Sequence, residues 1–136
     1  MKRFAENLSM VFAAGCLGAV INSLALWYAG DAGLTAKTGV MLAPHLSASW
    51  LYPRIVWGGI FGALFLLPIS RYRCVLRGFV LSLGPTIVQL FVIFPLKAHK
   101  GWLGLDLGLL TPVWVIAVNA VWGLSASIWL RWTAGK

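Results

Sequence analysis

Acidic residues are almost missing from this chain. Three Asp and Glu, at Glu6, Asp31 and Asp106, stand against eleven Lys and Arg. Acid–base or hydrolytic chemistry needs carboxylates, or a nucleophile and a base, held close together, and these acids are scattered. Histidine is equally sparse: His45 and His99 lie in candidate loops without a third ligand motif, so no metal or haem site is expected. Cysteine occurs twice, at Cys16 and Cys74, with no C-x-x-C pair. A disulfide framework needs an oxidising compartment, and both cysteines fall toward the side assigned below to the cytoplasm, which favours free thiols. No glycine-rich phosphate loop sits between a strand and a helix. Ser47, Ser49, Ser125 and Ser127 recur in two Leu-Ser-Ala-Ser runs, and nothing beside them marks an activated nucleophile.

Charge of either sign is also scarce, at 10% of 136 residues, where soluble domains carry roughly 25%. What is present instead is apolar: 60% of the chain is hydrophobic. A soluble fold of this size could not hide that much apolar surface, so lipid is the expected solvent. The net charge of +8 would point to nucleic acid in a soluble protein. Here the basic residues flank apolar runs, where they anchor helices to headgroups. No nucleic-acid partner is expected.

A spanning helix needs about 20 mostly apolar residues. Four runs qualify, near 8–28, 50–69, 78–96 and 111–130. The fold class read from them is an all-α integral membrane protein, a single domain over 1–136. Its architecture would be a bundle of four transmembrane helices with short interfacial or re-entrant outer loops. Pro53 and Pro112 fit helix entrances, where a missing N–H costs nothing, and Pro68 and Pro95 fit exits. The N-terminus imitates a signal peptide, but its apolar run continues past Ala13-Ala14-Gly15-Cys16 to Tyr28, as an uncleaved first helix would.

Topology follows from the basic residues. With the N-terminus inside, Lys2, Arg3, Arg71, Arg73, Arg77, Arg131 and Lys136 lie on the inner side. Lys37, Arg54, Lys97 and Lys100 lie on the outer side, a ratio of seven to four. This bias puts both termini in the cytoplasm, with the bacterial inner membrane as the expected location. The outer loops, 30–49 and 98–110, are too apolar to be freely solvated and too short to span.

The two halves carry similar sequence. Leu17-Gly18-x-x-Ile21-x-x-Leu24 matches Leu83-Gly84-x-x-Ile87-x-x-Leu90 at an offset of 66. The match is consistent with two duplicated helical hairpins; a competing register aligns Leu51-Tyr52-Pro53 with Leu110-Thr111-Pro112.

Three groups of residues stand out. Small residues recur at four-residue spacing, including Gly18, Gly58, Gly62 and Gly123, and would let helix backbones approach closely. Asn22, Gln89 and Asn119, with Thr86, fall at similar depth, roughly 12–22 Å from the inner boundary at about 1.5 Å per residue. Unpaired amides are costly in hydrocarbon, so they either bond across helices or line a polar chamber. Arg54 sits just inside an outer helix mouth. It would snorkel, pair with Asp31 or Asp106, or join His45 and Lys37 in receiving an anion or lipid headgroup.

The resulting expectation is a small membrane protein acting without catalysis or cofactor. It would act through helix packing with protein partners or lipid, as a homo-oligomer or a subunit of a larger membrane complex. The alternative is a small channel or transporter with Asn22, Gln89 and Asn119 as its polar lining and Arg54 at the outer mouth.

Overall fold

The computed structural model describes residues 2–40, 46–66, 73–97, 105 and 108–134. His45, Pro68, Arg71, His99, Lys100, Asp106 and Lys136, named above, lie outside the described residues. The described chain is 90% helix, without strands. Its elements are α1 (Lys2–Asp31), the short α2 (Leu34–Lys37), α3 (Ala48–Phe61), α4 (Cys74–Val88) and α5 (Thr111–Ala134). Segments 2–31, 74–93 and 111–133 are long and apolar enough to cross a membrane.

Several bounds differ from those read from hydropathy. Helix α1 begins six residues before the expected 8, at Lys2, because Lys, Arg, Ala and Glu are good helix formers and need no apolar context. Helix α3 starts behind Ser47, whose hydroxyl accepts from the Trp50 N–H at 3.3 Å. Pro53 therefore sits inside the helix rather than at its entrance. Beyond Phe61 the chain tightens into a 3-10 segment, Gly62–Leu66.

Helix α4 starts at Cys74 and so takes in Arg77, which the basic-residue reading treated as a flanking charge. After Val88 it widens into a π-helical segment, Gln89–Lys97, and Pro95 lies within that segment instead of ending the helix. Pro85 and Pro95 each withhold an N–H from the backbone ladder, which changes register between them.

Helix α1 packs along both α3 and α5, and α5 packs along α4. Contacts fix the directions. Gly62 meets Val11 while Gly58 meets Ala19, so α3 runs antiparallel to α1. Asn22 meets Asn119 and Trp122 meets Gly15, so α5 also runs antiparallel to α1. Cys74 meets Ser127 while Thr86 meets Asn119, so α4 runs antiparallel to α5. The core between these helices includes Val11, Ala14, Ala19, Leu81, Trp122, Ala126 and Leu130. Trp122 donates its indole N–H to the Gly15 carbonyl at 3.1 Å, and its ring lies 5.9 Å from that of Phe65. At the other end, the Trp114 indole donates to Thr38 Oγ1 at 2.8 Å, tying α5 to the end of α2.

Two glycine contacts set the helix spacing. A Cβ on Gly15 would overlap the Gly58 carbonyl between α1 and α3, and one on Gly123 would overlap the Gly78 carbonyl between α5 and α4. Gly18 lies against Trp122, and a Cβ there would come within 2.6 Å of its carbonyl oxygen. Gly62 lies against the backbone of Val11.

Candidate functional site

Four helices contribute one side chain face each to a common polar centre. On α1, Asn22 and Ser23 are both buried. On α5, about two turns beyond its start, Asn119 is buried opposite them. Helix α4 supplies buried Thr86, its π-helical continuation supplies half-buried Gln89, and α3 supplies half-buried Arg54.

The polar groups form one continuous chain. Arg54 Nε donates to Ser23 Oγ at 2.8 Å, and Arg54 Nη2 donates to Asn22 Oδ1 at 2.6 Å. Asn22 Nδ2 donates onward to the Val118 carbonyl at 2.8 Å and to Asn119 Oδ1 at 3.2 Å. Asn119 Nδ2 then donates to Thr86 Oγ1 at 3.1 Å and to Gln89 Oε1 at 3.3 Å. Thr86 Oγ1 donates in turn to the Ser82 carbonyl at 2.8 Å. Each asparagine thus accepts on the Arg54 side and donates on the α4 side. This order places amide oxygens toward the cation and stabilises it by aligned dipoles.

Arg54 has capacity left over. A guanidinium carries five N–H donors, and its two bonds to Ser23 and Asn22 use two of them. Its charge lies 4.8 Å from the centre of the Trp50 ring, a cation–π contact on the same helix. Both hydrogen-bond acceptors are neutral, so the partners solvate the positive charge without cancelling it.

Beside this chain lies a partly open cavity of about 460 Å³. Ala19, Asn22 and Ser23 of α1 and Asn119 and Trp122 of α5 form its floor. Pro53, Arg54, Trp57, Gly58 and Phe61 of α3 form one wall. Pro85, Val88, Gln89, Val92 and Ile93 of α4 and its π-helical continuation form the other. No carboxylate is among the described lining residues. The volume is in the range of small-molecule sites, which are mostly apolar with a few placed polar groups.

The two polar groups read separately from the sequence therefore meet. Asn22, Asn119, Thr86 and Gln89 are bonded together, and Arg54 joins them through Asn22 instead of snorkelling outward. Lys37 is exposed on α2 and is not in the lining, while His45 lies outside the described residues. Sequence reasoning passed over the apolar walls. Their signal was present: Arg54, Trp57, Gly58 and Phe61 have the i, i+3, i+4, i+7 spacing of one helix face. Pro85, Val88, Gln89, Val92 and Ile93 repeat it, extended by one position.

No family model, curated protein or solved structure matches the chain. Function must be argued from the cavity itself.

Proposed function

We propose that the chain is an integral protein of the bacterial inner membrane, with four spanning helices and both termini cytoplasmic. It acts without catalysis, holding an anionic group carried on an apolar body. The carrying observation is Arg54: a cation with unspent donors, on the wall of a 460 Å³ cavity whose described lining holds no carboxylate. A carboxylate or phosphate beside the guanidinium would supply the countercharge, and Trp57, Phe61, Val92 and Ile93 would cover the apolar remainder.

Support for the membrane setting comes from the exposed surface. Phe4, Tyr52, Trp57, Phe79, Leu83, Ile87, Ile116 and Ile128 are all exposed, an arrangement suited to lipid rather than water. Two antiparallel packed pairs, α1 with α3 and α4 with α5, are compatible with a duplicated helical hairpin.

The test is thermal unfolding of detergent-purified protein with a long-chain alkyl phosphate, a fatty carboxylate, a short aromatic carboxylate and an alkylammonium ion. The anions should stabilise the wild type and the ammonium should not. Stabilisation by the short carboxylate assigns a free solute, and stabilisation by the long-chain anions alone assigns a lipid. Arg54→Gln should weaken binding about tenfold or more, the usual worth of a hydrogen bond to a charged group. Equal stabilisation of wild type and variant would remove the reading.

A second reading, transport of the bound anion, is favoured by the change of helix register at Gln89, on the cavity wall. Interrupted helices commonly line transporter sites. Anion flux into liposomes that survives the combined Asn119→Ala and Gln89→Ala changes would exclude these amides as the lining.

A further inference from the structure

A separate recess lies at the opposite end of α4 from the amide chain. It has a volume of about 450 Å³ and is lined by Arg73, Cys74, Val75, Leu76, Phe79 and Arg131. The antiparallel contact of α4 with α5 builds it. Gly78 meets Gly123, one turn on Ser127 donates to the Cys74 carbonyl at 2.8 Å, and one turn further Arg131 joins Arg73 in the lining. Two guanidinium groups from different helices are thereby brought to one recess. Both residues are exposed, and no carboxylate lines the recess among the described residues. Below the cations, Val75, Leu76 and Phe79 are exposed apolar side chains along the outer face of α4. Arg73 is also the N-cap of α4 and gives the helix no side-chain cap, so the first-turn N–H groups add positive potential beside its guanidinium.

We propose that this recess binds the phosphate of an anionic phospholipid, with one acyl chain lying along Val75, Leu76 and Phe79. The order of the groups selects this ligand. Paired cations sit at the helix ends, where headgroups lie, and an apolar strip runs from them toward the middle of the helix. Guanidinium forks match phosphate oxygens, and basic residues at helix ends attract anionic lipid. The site rests on the reading of the chain as a membrane protein, but it shares no residue with the Arg54 cavity.

Membrane insertion is established first, by flotation of reconstituted protein with liposomes after alkaline washing, so that failure of that reading is seen separately. Native mass spectrometry then follows retention of phosphatidylglycerol and phosphatidylcholine by the full chain in detergent. Phosphatidylglycerol should be held preferentially. The double variant Arg73→Gln and Arg131→Gln should bind it about thirtyfold more weakly, given the usual contribution of each basic residue beside an anionic bilayer. The double variant Arg73→Lys and Arg131→Lys should keep the preference, and Arg54→Gln should leave it unchanged. Equal retention of both lipids, unchanged retention by the double Gln variant, or displacement of the lipid by inorganic phosphate or by an acidic peptide would each overturn the assignment.

Discussion

Arg54 and Asn22 stand 32 positions apart and meet through an Nη2–H···Oδ1 bond of 2.6 Å. This bond gives a cation on α3 a neutral partner on α1, and the partner is itself held by α5. The arrangement steadies the guanidinium without neutralising it. A carboxylate in place of Asn22 would cancel the charge on which the proposed anion binding rests.

Unequal costs along the chain of amides follow from this. Asn22→Ala removes three bonds, one of them to a charged group and worth about 2 kcal/mol, whereas Asn119→Ala removes three neutral bonds worth about 1 kcal/mol each. Thermal unfolding in detergent should therefore rank Asn22→Ala as the more damaging change. The two residues share a hydrogen bond, so the double variant should lose less than the sum of the single changes. Strict additivity would mean that the two amides do not act together.

Close helix contact makes a second set of positions intolerant. Gly15 and Gly58, and likewise Gly78 and Gly123, approach so closely that an added Cβ meets backbone. Backbone cannot swing aside as a flexible side chain does, so each helix pair must separate. Gly15→Ala and Gly123→Ala should each destabilise by about 1–3 kcal/mol, the usual cost of overpacking. Gly33→Ala is a useful contrast: it has no neighbour within 4 Å, and only its positive φ of 81° resists the change. Its cost should arise from backbone strain and leave the spacing of α1 and α3 untouched. Cross-linking yield between α1 and α3 would separate the two effects.

The helical class and three long apolar helices were legible because mean hydropathy and length report on them directly. The amides were legible because a lone Asn or Gln in an apolar run has few alternatives to facing inward. Arg54 was harder. Its distance from a helix end was compatible with snorkelling, and only the antiparallel register of α1 and α3 turns it toward Asn22. Pro53 misled for a related reason. Ser47 caps α3 early, and a hydroxyl three residues before an apolar run is a weaker signal than the proline that follows. The π-helical segment from Gln89 left no pattern in hydropathy, because every residue from Leu90 to Leu96 is apolar or proline.

Arg77 carries the third prediction. It is buried on α4, donates to the Phe65 carbonyl and lies 5.3 Å from the centre of the Phe65 ring. It therefore ties α4 to the 3-10 segment after α3. Arg77→Leu should destabilise by about 2–3 kcal/mol, as expected when a charged donor is withdrawn from a buried carbonyl. Arg77→Lys should recover only part of that loss, since an ammonium lacks the planar fork that reaches the carbonyl and covers the ring together. Full recovery by lysine would show that charge alone matters at this position.

Orientation gives the last prediction. The antiparallel contacts put the starts of α1 and α4 and the end of α5 at one end of the molecule. The end of α1, α2 and the start of α5 lie at the other. Among the described residues the first end carries Lys2, Arg3, Arg73, Arg77 and Arg131, and the second carries Lys37, Arg54 and Lys97. Basic residues near spanning helices are retained on the cytoplasmic side, so the first end should face the cytoplasm. With Cys16 and Cys74 replaced by serine, single cysteines at Lys2, Lys37 and Lys136 report the two sides. A membrane-impermeant maleimide applied to intact spheroplasts should label Lys37→Cys, and should reach Lys2→Cys and Lys136→Cys only after permeabilisation. The opposite pattern would invert the protein and move the Arg73–Arg131 recess to the outer leaflet. Labelling of all three in intact cells would mean that the chain inserts both ways, which the charge difference between its ends opposes.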